Sequence, residues 1–117
     1  MRVNGKIRFS ALKRPLQNAV VQIRLDDVTV TDARAKTLAR AEAGPCSAKA
    51  GEDCRLPFAI EVNDADIDPR ARYVIAAHAD LDGDGEVSRG DYVTMQSYPV
   101  LTRGYPTNVD LELREVK

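Results

Sequence analysis

A chain of 117 residues is long enough to bury one hydrophobic core and short enough to read as one domain over residues 1–117. Its 44% hydrophobic and 30% charged residues are the balance of a soluble globular protein, and with no Trp and 5% aromatics the core must rest on Val, Ile, Leu and Ala. A formal net charge of -1 excludes a strongly basic nucleic-acid binder, and no run is long and apolar enough for a transmembrane segment.

Along the chain the hydrophobic period is two rather than 3.6, which predicts strands. Arg2–Phe9 is the first candidate. Residues 1–14 carry Arg2, Lys6, Arg8, Lys13 and Arg14 with no acid, which fits a solvated strand face. Met1 leads almost directly into this strand with no leader ahead of it, so the expectation is either a cytoplasmic chain or one that follows a removed leader. In residues 20–28, Val21, Ile23 and Leu25 face one way while Gln22 and Arg24 face the other, the pattern of a strand with one buried and one wet side. Residues 37–41 read as a short strand, although the Ala- and Arg-rich stretch 32–43 is equally compatible with a helix.

Cys46 and Cys54 follow in the loop-like stretch GPCSAKAGEDC. Two thiols cannot complete a zinc site without further ligands, and His78, the only histidine, lies far along the chain. A local Cys46–Cys54 disulfide, implying an oxidising compartment, stands against two free thiols. Residues 55–62 form the next strand candidate. Ile67-Asp68-Pro69-Arg70-Ala71-Arg72-Tyr73 then has the spacing of a tyrosine corner, in which the Tyr73 hydroxyl bonds back to the backbone a few residues upstream and Ile67 and Pro69 shape the crossing. Tyr73–Ala79, residues 91–97 and residues 108–116 complete the set, the last alternating Val109, Leu111 and Leu113 with Asp110, Glu112 and Arg114. Asn4-Gly5, Arg14-Pro15, Gly44-Pro45, Asp68-Pro69 and Tyr105-Pro106 punctuate the pattern where connections are expected. The predicted fold is all-β, an antiparallel Greek-key β-sandwich of about seven strands.

The sharpest chemical signal is residues 80–91, DLDGDGEVSRGD. Asp80, Asp82 and Asp84 stand at positions 1, 3 and 5 of a calcium-type loop, with Gly85 at the tight turn of position 6. Glu86 at position 7 offers its carbonyl oxygen, Ser88 at position 9 binds directly or through water, and Asp91 closes position 12. Calcium takes six to eight hard oxygen ligands, and alternate residues of a tight loop aim three carboxylates at one point. Without a cation the same arrangement holds like charges together, so the loop should order on filling. Asp91 is shorter than the usual Glu, which lowers affinity or shifts preference toward magnesium. The flanks read as strands, so the loop would sit in a hairpin. A dissociation constant on the order of 10⁻⁵ to 10⁻³ M is expected. The alternative is a solvent-exposed acidic turn, since Asp-Gly is a favoured turn pair.

Other candidate chemistry is sparse. His78 reads as a packing or surface residue, Tyr73 lacks a partner base, and Asp26-Asp27 and Asp64/Asp66/Asp68 read as turn and strand-end residues rather than an acid–base pair. No phosphate loop, dinucleotide fingerprint or zinc signature occurs, so the chain is not expected to be an enzyme.

Several segments together carry a resemblance. They are Val3-Asn4-Gly5-Lys6-Ile7, residues 20–28 with Asp32-Ala33, Leu56-Pro57-Phe58-Ala59-Ile60, Ile67 to Tyr73, and Tyr98-Pro99-Val100-Leu101-Thr102-Arg103-Gly104. In this order they span nearly the whole chain, which resembles the YbaY/YscW-type lipoprotein family, the pilotin-like chaperones of type III secretion. The resemblance implies a small β-sandwich of the bacterial envelope, periplasmic or outer-membrane-associated, that helps secretion components of the outer membrane localise or assemble. Its partner would be another envelope protein. No catalytic residues come with the family. The chain departs from the pattern in lacking the lipid-bearing cysteine and in carrying the 80–91 insert and the Cys46–Cys54 loop. The functional expectation is a non-catalytic, calcium-stabilised envelope module. The alternative is a calcium-dependent carbohydrate- or matrix-binding module using Tyr92, Tyr98 and Tyr105 beside the ion.

Overall fold

The structure, a computed structural model, describes every residue except Ser10, Ala11, Lys13, residues 31–34, residues 82–85 and Ser88. The chain is all-β. Its strands are β1 (Arg2–Phe9), β2 (Leu16–Asp27), β3 (Lys36–Ala48), β4 (Arg55–Glu61), β5 (Tyr73–Ala79), β6 (Tyr92–Thr94), β7 (Pro99–Val100) and β8 (Leu111–Glu115), with one 3-10 turn at Asp64–Asp66. Strand formation follows from the alternation. Val21, Ile23 and Leu25 of β2, Tyr73, Ile75, Ala77 and Ala79 of β5, and Leu111 and Leu113 of β8 all point into one core, joined by Val3, Ile7 and Phe9 of β1 and Phe58 and Ile60 of β4.

The sheet arrangement refines the sandwich. The strands form one continuous sheet in the order β3-β2-β5-β6-β8-β1-β4, with β7 paired to β5, curled until it is nearly a closed barrel. Pairing is antiparallel except between β1 and β8, which run parallel from Ile7↔Leu111 to Phe9↔Leu113. Register shifts between β2 and β3 coil the sheet, because each extra residue bends its strand and sharpens the twist. Sheet-wide curvature then lets a single inner face enclose the core without a second sheet.

The helix alternative for residues 32–43 gives way to a strand where that stretch is described. β3 pairs with β2 from Asp27↔Lys36 to Leu16↔Ala48. An Ala–Arg helix there would have little apolar surface to bury, whereas the free edge of β2 offers a full row of backbone partners. Two of the five punctuation pairs fall inside strands instead of at connections. Gly44-Pro45 lies in β3, with a cis peptide and Gly44 at φ 106°, where the β2–β3 register breaks. Asn4-Gly5 lies in β1, and its glycine is there for space: a Cβ on Gly5 would stand 1.7 Å from the Val109 carbonyl oxygen. At that point the Val109 amide donates to the Asn4 carbonyl (2.9 Å) and the Asn4 amide to that of Thr107 (3.0 Å).

Cys46 in β3 and Cys54, just ahead of β4, form a disulfide. It ties together the two strands at the ends of the sheet path, which also lie side by side.

Candidate functional site

Two places hold chemistry-bearing side chains. The first is the β5–β6 hairpin. The pairs His78↔Val93 and Ala79↔Tyr92 fix its register, which brings the first and last positions of the 80–91 segment to the same end. Asp91 is 1% exposed. One of its carboxylate oxygens accepts the Leu81 amide at 3.0 Å, and the other lies 3.0 Å from His78 Nε2. The ligand-type atoms of His78, Asp80 and Asp91 all fall within 4.8 Å of one another. The 80–91 segment thus begins and ends beside a nearly buried carboxylate held from two sides. Glu86 is exposed at the tip side, and Asp82, Asp84 and Ser88 lie outside the described residues.

His78 is the residue the sequence reading set aside. It faces away from the core on β5 and reaches Asp91 across the hairpin, thirteen residues on. The available signal was its parity: on an alternating strand it sits opposite in face to the buried Ala77 and Ala79, beside the loop it borders.

The tyrosine-corner segment is built as a turn. Asp68 precedes Pro69, and the Ala71 amide donates to the Asp68 carbonyl at 2.9 Å, with Asp and Pro at the two positions that favour such a turn. Arg70 caps it, its amide donating to the Asp68 carboxylate at 2.9 Å. That hydrogen bond holds the Asp68 pKa below its ordinary value, with the Arg70 charge adding to the effect. Tyr73 is buried, and its hydroxyl accepts the Asp68 amide at 2.8 Å. Ile67 is half-buried against the core and Pro69 is exposed.

Three of the other acids weighed as acid–base pairs have structural partners. Asp26 is buried between the Arg24 guanidinium (2.8 Å) and the Thr37 hydroxyl (2.7 Å), Asp27 accepts from Thr29, and Asp64 pairs with the amino terminus. Of the three tyrosines considered as a binding platform, two are in the core. Tyr92 is 3% exposed and packs its ring 5.2 Å from that of Phe9. Burial pushes its pKa up, the Glu115 charge adds to this, and Arg14 opposes it. Tyr98 is 7% exposed, and its hydroxyl accepts the Glu112 amide at 2.9 Å. Only Tyr105 presents its ring to solvent, so these residues do not form an aromatic surface at the hairpin.

The second place is a groove of about 560 Å³ at the opposite end of β5, where the 101–106 turn meets the ends of β2 and β7. Val28, Val74, Pro99 and Tyr105 supply its apolar lining, and Arg72 and Arg103 its charge. No short motif encodes it, because its walls come from four separated segments.

The sequence profile of the type III secretion system lipoprotein chaperone family, YscW, matches residues 1–113. The chain belongs to this family. A lipoprotein chaperone is non-catalytic in kind, and no helix among the described residues is long and apolar enough to cross a membrane. The YscW fold has a solved counterpart in an alternative pilotin from the type II secretion system of Vibrio cholerae, 23% identical, with a TM-score of 0.77 over 100% of this chain and 97% of that one. No curated protein matches the chain.

Proposed function

We propose that the chain is an accessory module of the bacterial envelope that binds an outer-membrane secretion subunit of the secretin type and assists its localisation or assembly. The observation that carries this is the YscW match, which runs through residues 1–113 and so includes both the core strands and the groove-forming 98–104 segment. The Cys46–Cys54 disulfide supports an oxidising compartment such as the periplasm or the inner face of the outer membrane. Deleting the gene in its native host and fractionating the membranes tests the reading. The secretin should move out of the outer-membrane fraction or fail to form its multimer. An unchanged amount of outer-membrane multimer would overturn the proposal.

Calcium is the second part of the proposal. Asp80, Asp82, Asp84, the Glu86 carbonyl, Ser88 and Asp91 would hold the ion, which would neutralise the carboxylates and stiffen the β5–β6 hairpin. The closeness of Asp80 and the buried Asp91 supports the fit. His78 would act from behind, orienting the Asp91 carboxylate. Titrating chelator-treated protein with calcium should release or absorb heat and raise the melting temperature, by an amount equivalent to about 2.7 kcal/mol at a hundredfold excess over the dissociation constant. Asp82→Ala or Asp84→Ala should abolish that gain. The absence of both heat and any amide shift in residues 80–91 would refute calcium binding while leaving the secretin proposal intact.

A further inference from the structure

The groove at the β2, β5 and β7 ends differs from the rest of the surface in how its arginines are used. Elsewhere most arginines face an acid within 4 Å: Arg2 with Glu61, Arg8 and Arg114 with Glu112, Arg14 with Glu115, Arg24 with Asp26, Arg55 with Asp53, and Arg70 with Asp68. Among the described arginines only Arg40, Arg72, Arg89 and Arg103 lack an ion pair, and two of these four line this one groove. Among the described residues no Asp or Glu lines it, whereas three other cavities contain carboxylates: Asp91 in one, Asp110 and Glu112 in a second, and Glu112 in a third. Cationic walls with an apolar floor and no counter-charge among the described lining residues are complementary to an amphipathic segment bearing carboxylates.

The walls are also held in place. The Arg72 amide donates to the Thr29 hydroxyl at 3.0 Å, and its carbonyl accepts the Val28 amide at 2.9 Å, which joins the ends of β2 and β5. Arg103 Nη2 donates to the Arg70 carbonyl at 2.9 Å, which anchors the guanidinium and leaves further N–H donors for a ligand. The turn that carries Arg103 is tied down by the Thr102 hydroxyl, which donates to the Ala71 carbonyl at 2.6 Å. Its backbone holds two residues without glycine's freedom in the left-handed region, Leu101 at φ 73° and Arg103 at φ 57°. Such positions are sparsely populated, and here the surrounding bonds enforce them. Arg103 is thus presented at the cost of local strain, and little ordering remains to be done on binding.

We propose that this groove is the docking surface for the partner, and that it takes an acidic, amphipathic segment of that protein whose apolar side chains lie on Val28, Val74, Pro99 and Tyr105 while its carboxylates pair with Arg72 and Arg103. The inference rests on the secretin-binding reading and specifies where and by what chemistry the contact is made. Planar guanidinium groups suit this task because each engages a carboxylate through two parallel N–H donors.

The test uses the fluorescein-labelled periplasmic region of the secretin from the native host, titrated with the whole protein and followed by anisotropy. Arg72→Glu with Arg103→Glu should weaken binding about tenfold or more at low salt, and the gap should narrow as salt screens the charges. Arg72→Gln with Arg103→Gln should fall between, and Arg40→Glu, an equally exposed reversal on β3, should leave the affinity within about twofold. Unchanged melting temperatures would establish that the variants are folded. Wild-type binding that survives the double reversal overturns the groove and leaves the secretin reading standing. Failure of the wild type to bind the fragment sinks both. Vesicles of phosphatidylglycerol and phosphatidylethanolamine serve as a second probe. If the double reversal abolishes vesicle binding but not fragment binding, the arginines serve a lipid surface and the proposal is wrong.

Discussion

Removing the hydroxyl of Tyr73 isolates a single interaction, because Tyr73→Phe keeps the ring and therefore the packing. The hydroxyl accepts one hydrogen bond, from the Asp68 amide at 2.8 Å, and the residue is 2% exposed. A typical net hydrogen bond is worth about 0.5–1.5 kcal/mol, and an amide left without a partner in a buried setting costs about 1–3 kcal/mol. Asp68 itself is exposed, so water partly re-solvates its amide in the variant. The expected loss is about 1–2 kcal/mol. For a domain of this size that lowers the melting temperature by about 4–8 °C. Urea denaturation should show a lower midpoint with an unchanged m-value, since the surface exposed on unfolding is the same. Amide exchange at Asp68 should accelerate more than exchange in β2. A variant with a wild-type midpoint and wild-type exchange at Asp68 would refute the idea that this bond holds the turn to the core.

Gly5→Ala should be more damaging, losing about 3 kcal/mol or more in urea titrations, because the new Cβ would stand 1.7 Å from the Val109 carbonyl oxygen and forces β1 and β8 apart. Replacing both Cys46 and Cys54 by Ala should cost roughly 2–3 kcal/mol for a loop of this length, readable as a drop in the denaturation midpoint that reducing agent reproduces in the wild type. Hydrogen bonds from Arg8, then Arg114, hold the Glu112 pKa below its ordinary 4.5. A depressed carboxylate pKa stabilises the fold above the unfolded-state value, and that contribution is lost as pH falls through the folded value. Glu112→Gln should therefore be less stable than wild type at neutral pH, with the difference closing well below 4.5.

What the sequence disclosed and what it hid divide along physical lines. Alternation at Val21, Ile23 and Leu25, and at Leu111 and Leu113, reports burial directly, so β2 and β8 were legible, as were β1 and β5. Strand partnership leaves no such trace. The parallel pairing of β1 with β8 and the two-residue β7 depend on contacts about a hundred and about twenty-five residues away in sequence. Ala and Arg favour helices in isolation, which obscured β3 until the edge of β2 supplied its hydrogen bonds. Gly5 resembles a turn glycine in Asn-Gly, yet its role is to admit the Val109 carbonyl. The spacing of acids marked the 80–91 segment because its ligand types lie close in sequence. His78 was not marked, since its contact with Asp91 exists only once the hairpin register is set. The arginine groove was equally silent, being assembled from residues 28, 72–74, 97–99 and 102–105.

A strand at the margin of a sheet is a template on which another polypeptide can lay its own backbone. In this protein the two margins, β3 and β4, lie against each other and are sewn together through Cys46 and Cys54. Strand addition is hindered where the two margins meet. The cross-link thus does more than restrain the unfolded chain: it keeps the two sheet margins facing each other.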